Sequence, residues 1–324
     1  MSGLDLVTGG HGFIGAHLVA LLTARGRRVR VLDTREAAAP DGVETIVGSV
    51  TDPDTAARAV DGAERVFHLA AIPELWARDR GVFDRVNRAG TQTMLAAARA
   101  GSVGCFVYAA SEVVLVARRI ADLPARLDET VELPPEALCG AYARSKRAGE
   151  LAALAAADAD FRVCSAIPTV PLGPGDCSRT PPTRMLEDLL AGRMPAYPNV
   201  TFDAVDVRDA ALGLLLTAEH GRSGARYLLS GHSVAMGELL AQIAAAAGVI
   251  APRLALPGWL AQAIGTLDTG LAALTGHTPR APRDGTAIAR RMRPCSNAKA
   301  RQELAFDPRP LGETVRDAVA WLRR

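Results

Sequence analysis

The run Val7-Thr8-Gly9-Gly10-His11-Gly12-Phe13-Ile14-Gly15 constrains this chain more than any other stretch. A short apolar segment, Leu4 to Val7, enters the glycines, and a helical pattern from Ala16 to Ala24 leaves them. Strand, glycine turn and helix therefore arrive in the order a pyrophosphate site needs. Glycines permit the tight turn and let backbone N–H groups approach phosphates, which then sit at the positive end of a helix. Eighteen residues beyond Gly15, the run Val29-Arg30-Val31-Leu32 ends at Asp33. An acid there can accept hydrogen bonds from both hydroxyls of a ribose. A G-x-G-x-x-G alone is weak evidence; placed after a strand, before a helix and followed by this acid, it is specific. Gly9, Gly12, Gly15 and Asp33 are thus candidate cofactor residues.

The rest of the chain suits such a site. Its 324 residues accommodate one large α/β domain with a smaller lobe. The net charge of +2 supplies no field that would argue for nucleic acid. Cys105, Cys139, Cys164, Cys177 and Cys295 are scattered, without C-x-x-C pairs or histidine companions, so neither a metal site nor a disulfide framework is expected. Reduced thiols fit a cytoplasmic protein, and the early first strand leaves no room for a signal peptide. No membrane span is expected either. The nearest approach, Leu254 to Leu274, is broken by Pro257, Gly258, Gly265, Asp268 and Gly270. Its apolar residues are expected to cap the substrate lobe or line a lipophilic pocket, with shallow membrane contact as the alternative.

Strand and helix signals alternate through the first half. Strands are expected at 44–47, 65–69 and 105–109, and helices at 55–60, 84–100 and 142–157. This alternation predicts an α/β fold, a Rossmann-type doubly wound parallel sheet with a smaller C-terminal substrate lobe. Prolines 168, 171, 174, 181, 182, 195 and 198 then break the regular pattern. The nucleotide-binding half is placed at 1–167 and the substrate half at 168–324, with elements near 202–229 packing back onto the first. Loops over such a sheet edge commonly carry substrate contacts.

A second motif, Tyr142-Ala143-Arg144-Ser145-Lys146, carries the chemistry. A spacing of four puts phenol and ammonium on one helix face. A cation near the phenol is expected to lower its pKa from about 10, which makes proton exchange with an alcohol or carbonyl oxygen feasible near neutral pH. Ser111, just after a strand, can hydrogen-bond the same substrate oxygen. Ser111, Tyr142 and Lys146 are therefore the candidate catalytic residues.

With these motifs together, the chain resembles the extended short-chain dehydrogenase/reductases, the NAD-dependent epimerase/dehydratase family. The resemblance runs through the glycine loop, Asp33, Asp52, His68-Leu69-Ala70-Ala71, Asn87, Ser111, Tyr142/Lys146, Gly173-Pro174-Gly175-Asp176 and Val205-Asp206-Val207-Arg208-Asp209. Within the family it is most similar to the branch of dihydroflavonol reductases, 3β-hydroxysteroid dehydrogenases and hopanoid-associated sugar epimerases. The resemblance implies NAD, in preference to NADP, as cofactor. Phe13 and Ile14 would shield the pyrophosphate, and Asp33 would hold the adenosine ribose. Asp52 with Val50 or Thr51 would line the adenine, Ala70 and Ala71 would run past the ribose side of the nicotinamide, and Leu69 and Asn87 would also belong to the cofactor-binding residues. Tyr142 and Lys146 would hold the nicotinamide ribose, and Pro168 and Val170 would pack on the ring.

Departures from relatives narrow the expectation. Nucleotide-sugar dehydratases place an Asp-Glu pair after the catalytic hydroxyl residue, whereas this chain has Glu112-Val113. Sugar epimerases carry Asn where Val170 stands, and dihydroflavonol reductases carry Asn where Val116 stands. The expected activity is interconversion of a secondary alcohol and a ketone on a bulky, largely apolar small molecule, with a sugar or polyol epimerase retaining its NAD as the alternative. Trp76, Arg179, Arg184 and Tyr197 are the candidate substrate residues, with Leu172, Met185, Leu186, Leu189, Trp259 and Leu260 as apolar surface. The Ala-rich helices at 84–100 and 142–157 correspond to those that build dimers in relatives, so a homodimer is expected.

Overall fold

The computed structural model describes residues 3–324. Its strands run in the order β1 (Leu4–Thr8), β2 (Arg28–Asp33), β3 (Glu44–Val47), β4 (Ala63–His68), β5 (Cys105–Ala109), β6 (Arg162–Pro168), β7 (Val170–Leu172), β8 (Ala196–Pro198), β9 (Thr201–Asp206), β10 (Arg226–Leu229), β11 (His232–Ala235) and β12 (Leu254–Leu256). Seven of them form one sheet in the order β10-β6-β5-β4-β1-β2-β3. Every pairing in that sheet is parallel. Such strands are covered by helices on both faces, which is why β1 and β5 are buried along their whole lengths and read as near-continuous apolar runs. The one acid in β1, Asp5, is fully buried and receives bidentate hydrogen bonds from Arg27 and Arg65.

The chain order reverses between β1 and β4, so the carboxyl ends of these strands flank a crevice. Helix Phe13–Ala24 leaves β1 on one face beside helix Val207–His220. Helix Gly140–Ala155 lies on the other face. Strand β10 thus joins the first sheet although it lies far along the chain. The remaining strands form two small sheets, β11-β9-β7 and β12-β8, in the second lobe. That lobe has its own apolar core, built from Leu186, Leu189, Leu239, Ile243, Val315 and Val319.

Two expectations about local structure need correction. The helix expected from Asp84 begins earlier, at Gly81, and widens into a π-helical stretch, Asp84–Gly90, before Thr91–Ala100. One more residue per turn is invisible to a 3.6-residue pattern. No residue of Leu254 to Leu274 lines the main cavity. After β12 the segment forms helix Gly258–Thr275, which buries only Ala261, Gly265 and Ala272 and leaves Trp259, Leu267, Leu271 and Leu274 exposed.

Candidate active site

At the carboxyl edge of the sheet lies a cavity of about 720 Å³, running from the glycine loop to the second lobe. Gly9 has a φ of 70°, and a side chain there would meet the backbone of Ala70 at 2.9 Å. At Gly15 a Cβ would stand 2.2 Å from the Gly9 carbonyl oxygen, so loop and helix touch backbone to backbone. Helix Phe13–Ala24 starts at Gly12 without a side-chain cap. Its first N–H groups therefore remain available at the positive end of the helix dipole, and Gly12, Phe13, Ile14 and Gly15 all line the cavity.

Asp33 closes β2 with its carboxylate already oriented. It accepts hydrogen bonds from the His11 and Arg35 backbone N–H groups, each at 3.1 Å. The Arg35 guanidinium is held on the rim, donating to the His11 carbonyl at 2.8 Å and the Ser178 hydroxyl at 3.0 Å. An uncapped helix start, a glycine cradle that any Cβ would fill and an oriented acid together fit a dinucleotide. Val50, Leu69, Ala70, Ala71, Pro168 and Val170 also line the cavity, as do Ser111, Tyr142 and Lys146.

Two residues expected in this set lie outside it. Asp52 caps helix Pro53–Val60, its carboxylate accepting from the Asp54 and Thr55 N–H groups and the Thr55 hydroxyl. Asn87 is buried in the π-helical stretch. Its Oδ1 accepts from Ile72 N at 2.8 Å, and its Nδ2 donates to Ile72 O and to the Ser145 hydroxyl. It pins the loop after Ala71 to the helix carrying Tyr142, acting on the cavity wall from behind.

That helix is fixed by a buried network. Glu150 accepts from Arg147 at 2.6 Å, the Ser165 hydroxyl at 2.7 Å and Arg226 at 3.0 Å. Lys146, four residues before Glu150, donates to the Ala109 carbonyl at 2.5 Å and stands 4.5 Å from the centroid of the Tyr108 ring. Burial brings its ammonium down to about 7, with Glu150 acting in the opposite direction. The phenol does not show the lowered pKa expected from the motif. Burial pushes Tyr142 up to about 12, against the neighbouring Ser111 hydroxyl, which works to lower it. With the lysine turned onto a carbonyl and itself desolvated, burial dominates in the protein alone.

The substrate end is lined by Met185, Val200, Phe202, Ile288 and Met292, with Val113 below Ser111. None of the four expected substrate residues reaches it. Arg179 pairs with Glu187 at 2.6 Å and Arg184 with Glu74 at 3.2 Å, both arginines exposed on the surface. Tyr197 packs among the second lobe's core residues, and Trp76 is half-buried away from the lining. Of the expected apolar surface only Met185 lines the cavity; Leu172, Leu186 and Leu189 are core, Trp259 is exposed and Leu260 is half-buried.

Two acids that the sequence did not mark as site residues line this end. Glu112 is buried, and that burial, reinforced by Asp203, holds its carboxyl well above the usual carboxylate range. Asp203 Oδ1 accepts from the Ser230 and Ser233 hydroxyls and Cys295 N, while its Oδ2 has no protein partner. Glu112 Oε2 and the Thr169 hydroxyl are likewise unpartnered, and all three side chains border the cavity. Adjacency to Ser111 was the only sequence signal for Glu112; Asp203, Ile288 and Met292 arrive from distant segments.

The model of the NAD dependent epimerase/dehydratase family matches residues 6–230. A Synechocystis protein named putative dihydroflavonol 4-reductase is 32% identical, the match covering 100% of this chain and 95% of that protein. Sterol demethylase protein B of Methylococcus capsulatus is also 32% identical, with 98% of each chain covered. The crystal structure of gox2253 superposes with a TM-score of 0.85 at 32% identity, covering 99% of this chain and 98% of its own. The glycine cradle, the oriented Asp33 and a full-length likeness agree: the chain belongs to the NAD dependent epimerase/dehydratase family of enzymes.

Proposed function

We propose that the protein is an NAD-dependent oxidoreductase that interconverts a secondary alcohol and a ketone on a bulky, largely apolar substrate. The observation that carries this reading is the charge inventory of the cavity. Among the described residues, the only arginine lining it is Arg35, at the Asp33 end; the substrate end offers apolar side chains and the acids Glu112 and Asp203, while Glu74 on its lining is paired with the exposed Arg184. A nucleotide-sugar would bring two phosphates to a wall without a guanidinium, next to carboxyl groups, which is electrostatically unfavourable. The likeness to a protein named sterol demethylase protein B supports an apolar substrate.

In this reading the N–H groups after Gly12 hold the pyrophosphate of NAD and Asp33 holds its adenosine ribose. Bound NAD supplies the hydride acceptor and, when oxidised, a positive ring that favours the Tyr142 phenolate. Tyr142 passes a proton at the substrate oxygen, and Ser111 donates a hydrogen bond that orients that oxygen. Lys146, anchored on the Ala109 carbonyl, keeps further N–H donors for the nicotinamide ribose.

A binding and turnover panel with NAD present tests the reading, comparing steroid, hopanoid and aromatic ketones or alcohols with UDP- and dTDP-sugars. Consumption of added cofactor with an apolar alcohol is the expected result. Micromolar binding of a nucleotide-sugar alone, or epimerisation with NAD retained through purification, would overturn it. We also place a homodimer contact on helices Thr91–Ala100 and Gly140–Ala155, whose exposed Ala96, Leu151 and Ala155 are uncharged. Light scattering showing only a 33.9 kDa particle at micromolar concentration would refute that contact.

A further inference from the structure

Helix Gly258–Thr275 is covered on one side only. Its small residues press against the following segment: a Cβ at Gly265 would meet the Thr286 hydroxyl at 2.6 Å and the Ala281 carbonyl at 2.8 Å. The opposite side carries Trp259, Ala263, Leu267, Leu271 and Leu274, at steps of three and four that align along one face. Leu274 is 85% exposed, Leu267 69% and Trp259 66%. With Ile250, Leu254 and Ile264, seven of the ten large apolar side chains exposed among the described residues fall within residues 250–274. Scattered exposed leucines are ordinary; such a concentration marks an interaction surface.

Charge along this segment is predominantly positive. Residues 250–295 contain six arginines, Arg253, Arg280, Arg283, Arg290, Arg291 and Arg293, against two aspartates, Asp268 and Asp284. That surplus of four exceeds the net +2 of the entire chain, so the remainder is negative. Among the described residues none of these six arginines forms an ion pair, while Asp284 is taken by Arg80 and Asp268 by His277. The helix is not long and apolar enough to cross a membrane. An exposed apolar face in an arginine-rich segment, with Arg253, Arg280 and Arg283 exposed, that does not span is the pattern of a helix lying in a lipid interface. We infer that helix Gly258–Thr275 docks the protein on an anionic lipid surface, its apolar face entering the headgroup boundary and the arginines engaging lipid phosphates.

A second copy of the chain is the poorer occupant, because a twofold contact here would bring two arginine-rich segments together. The side of the helix opposite the docked face packs on Arg283–Ala289, whose Gly285 and Ile288 line the cavity. The docking itself does not depend on the reaction proposed above.

Vesicle flotation of the full-length protein tests the inference, using phosphatidylcholine vesicles with and without about one-third phosphatidylglycerol, the anionic lipid that recruits basic segments. Binding to the anionic vesicles, weakened by salt and slight on phosphatidylcholine alone, is expected. The exposed-face variant Leu267→Glu/Leu271→Glu should lower partitioning by about 10-fold or more. Should that variant misfold, Arg280→Gln/Arg283→Gln, which leaves the apolar face intact, should reduce binding to anionic vesicles specifically. No flotation, equal binding to both vesicle types, or dimerisation through this face without lipid binding would overturn the inference.

Discussion

Lowering the pH from 7 to 5 should destabilise this protein through one buried histidine. His68, at the end of β4, is 1% exposed and sits between two hydroxyls. Its Nδ1 lies 2.9 Å from Thr8 Oγ1 and its Nε2 3.0 Å from Thr91 Oγ1. Thr91 gives its proton to the Asn87 carbonyl, so it accepts from Nε2–H; Thr8 accepts from Ala70 N–H and donates to Nδ1. The chain of donors is complete with a neutral ring, and a second ring proton would face the Thr8 donor. Burial, aided by Lys146, lowers the His68 pKa from 6.5 to about 3. Between those values the unfolded chain takes up a proton that the folded one refuses, so stability falls as pH drops below 6.5. At pH 5 the deficit spans one and a half pH units, about 2 kcal/mol at 1.36 kcal/mol per unit. For a chain of this length that is a fall in Tm of roughly 3 °C. Urea unfolding at pH 7 and pH 5, on wild type and on the non-titrating variant His68→Gln, isolates the effect. Carboxylates and His17 contribute equally to both proteins, so the wild type should lose about 2 kcal/mol more than the variant over this interval. Equal losses would refute a neutral buried His68.

Tyr142→Phe keeps the ring and removes the transferable proton; turnover should fall by about 10²-fold or more with NAD binding nearly intact, as single-turnover and titration measurements would reveal. Gly15→Ala forces a Cβ to within 2.2 Å of the Gly9 carbonyl. Calorimetry should then find roughly 1–3 kcal/mol of lost stability and NAD affinity weakened at least about tenfold; an unaltered affinity would contradict the backbone contact. Asp33→Ala should narrow the preference for NAD over NADP by removing the carboxylate that a 2′-phosphate would meet. Tighter wild-type binding of NADP than of NAD would reverse the cofactor assignment.

The sequence alone determined the nucleotide half, because its signals are local. Strand, glycine turn, helix and acid follow within Leu4 to Asp33, and the requirement for glycine at Gly9 and Gly15 comes from backbone contacts that any such turn makes. Tyr142 and Lys146 were legible for the same reason: one helical turn fixes their relation. Their electrostatics were not, because the environment of Lys146 is set by Ala109, Tyr108 and Glu150, and burial rather than spacing decides where the phenol titrates. Asp52 and Asn87 have the residue types of ligand-binding groups, yet a helix cap and the π-helical turn engage them elsewhere. The substrate end depended entirely on tertiary structure. Glu112, Thr169, Asp203, Ile288 and Met292 meet only when the second lobe closes on the sheet. Arg179 and Arg184, prominent along the chain, are exposed and paired with Glu187 and Glu74 rather than lining the cavity. Local backbone chemistry repeats wherever its residues recur, whereas a pocket wall built from distant segments exists only once the whole chain has packed.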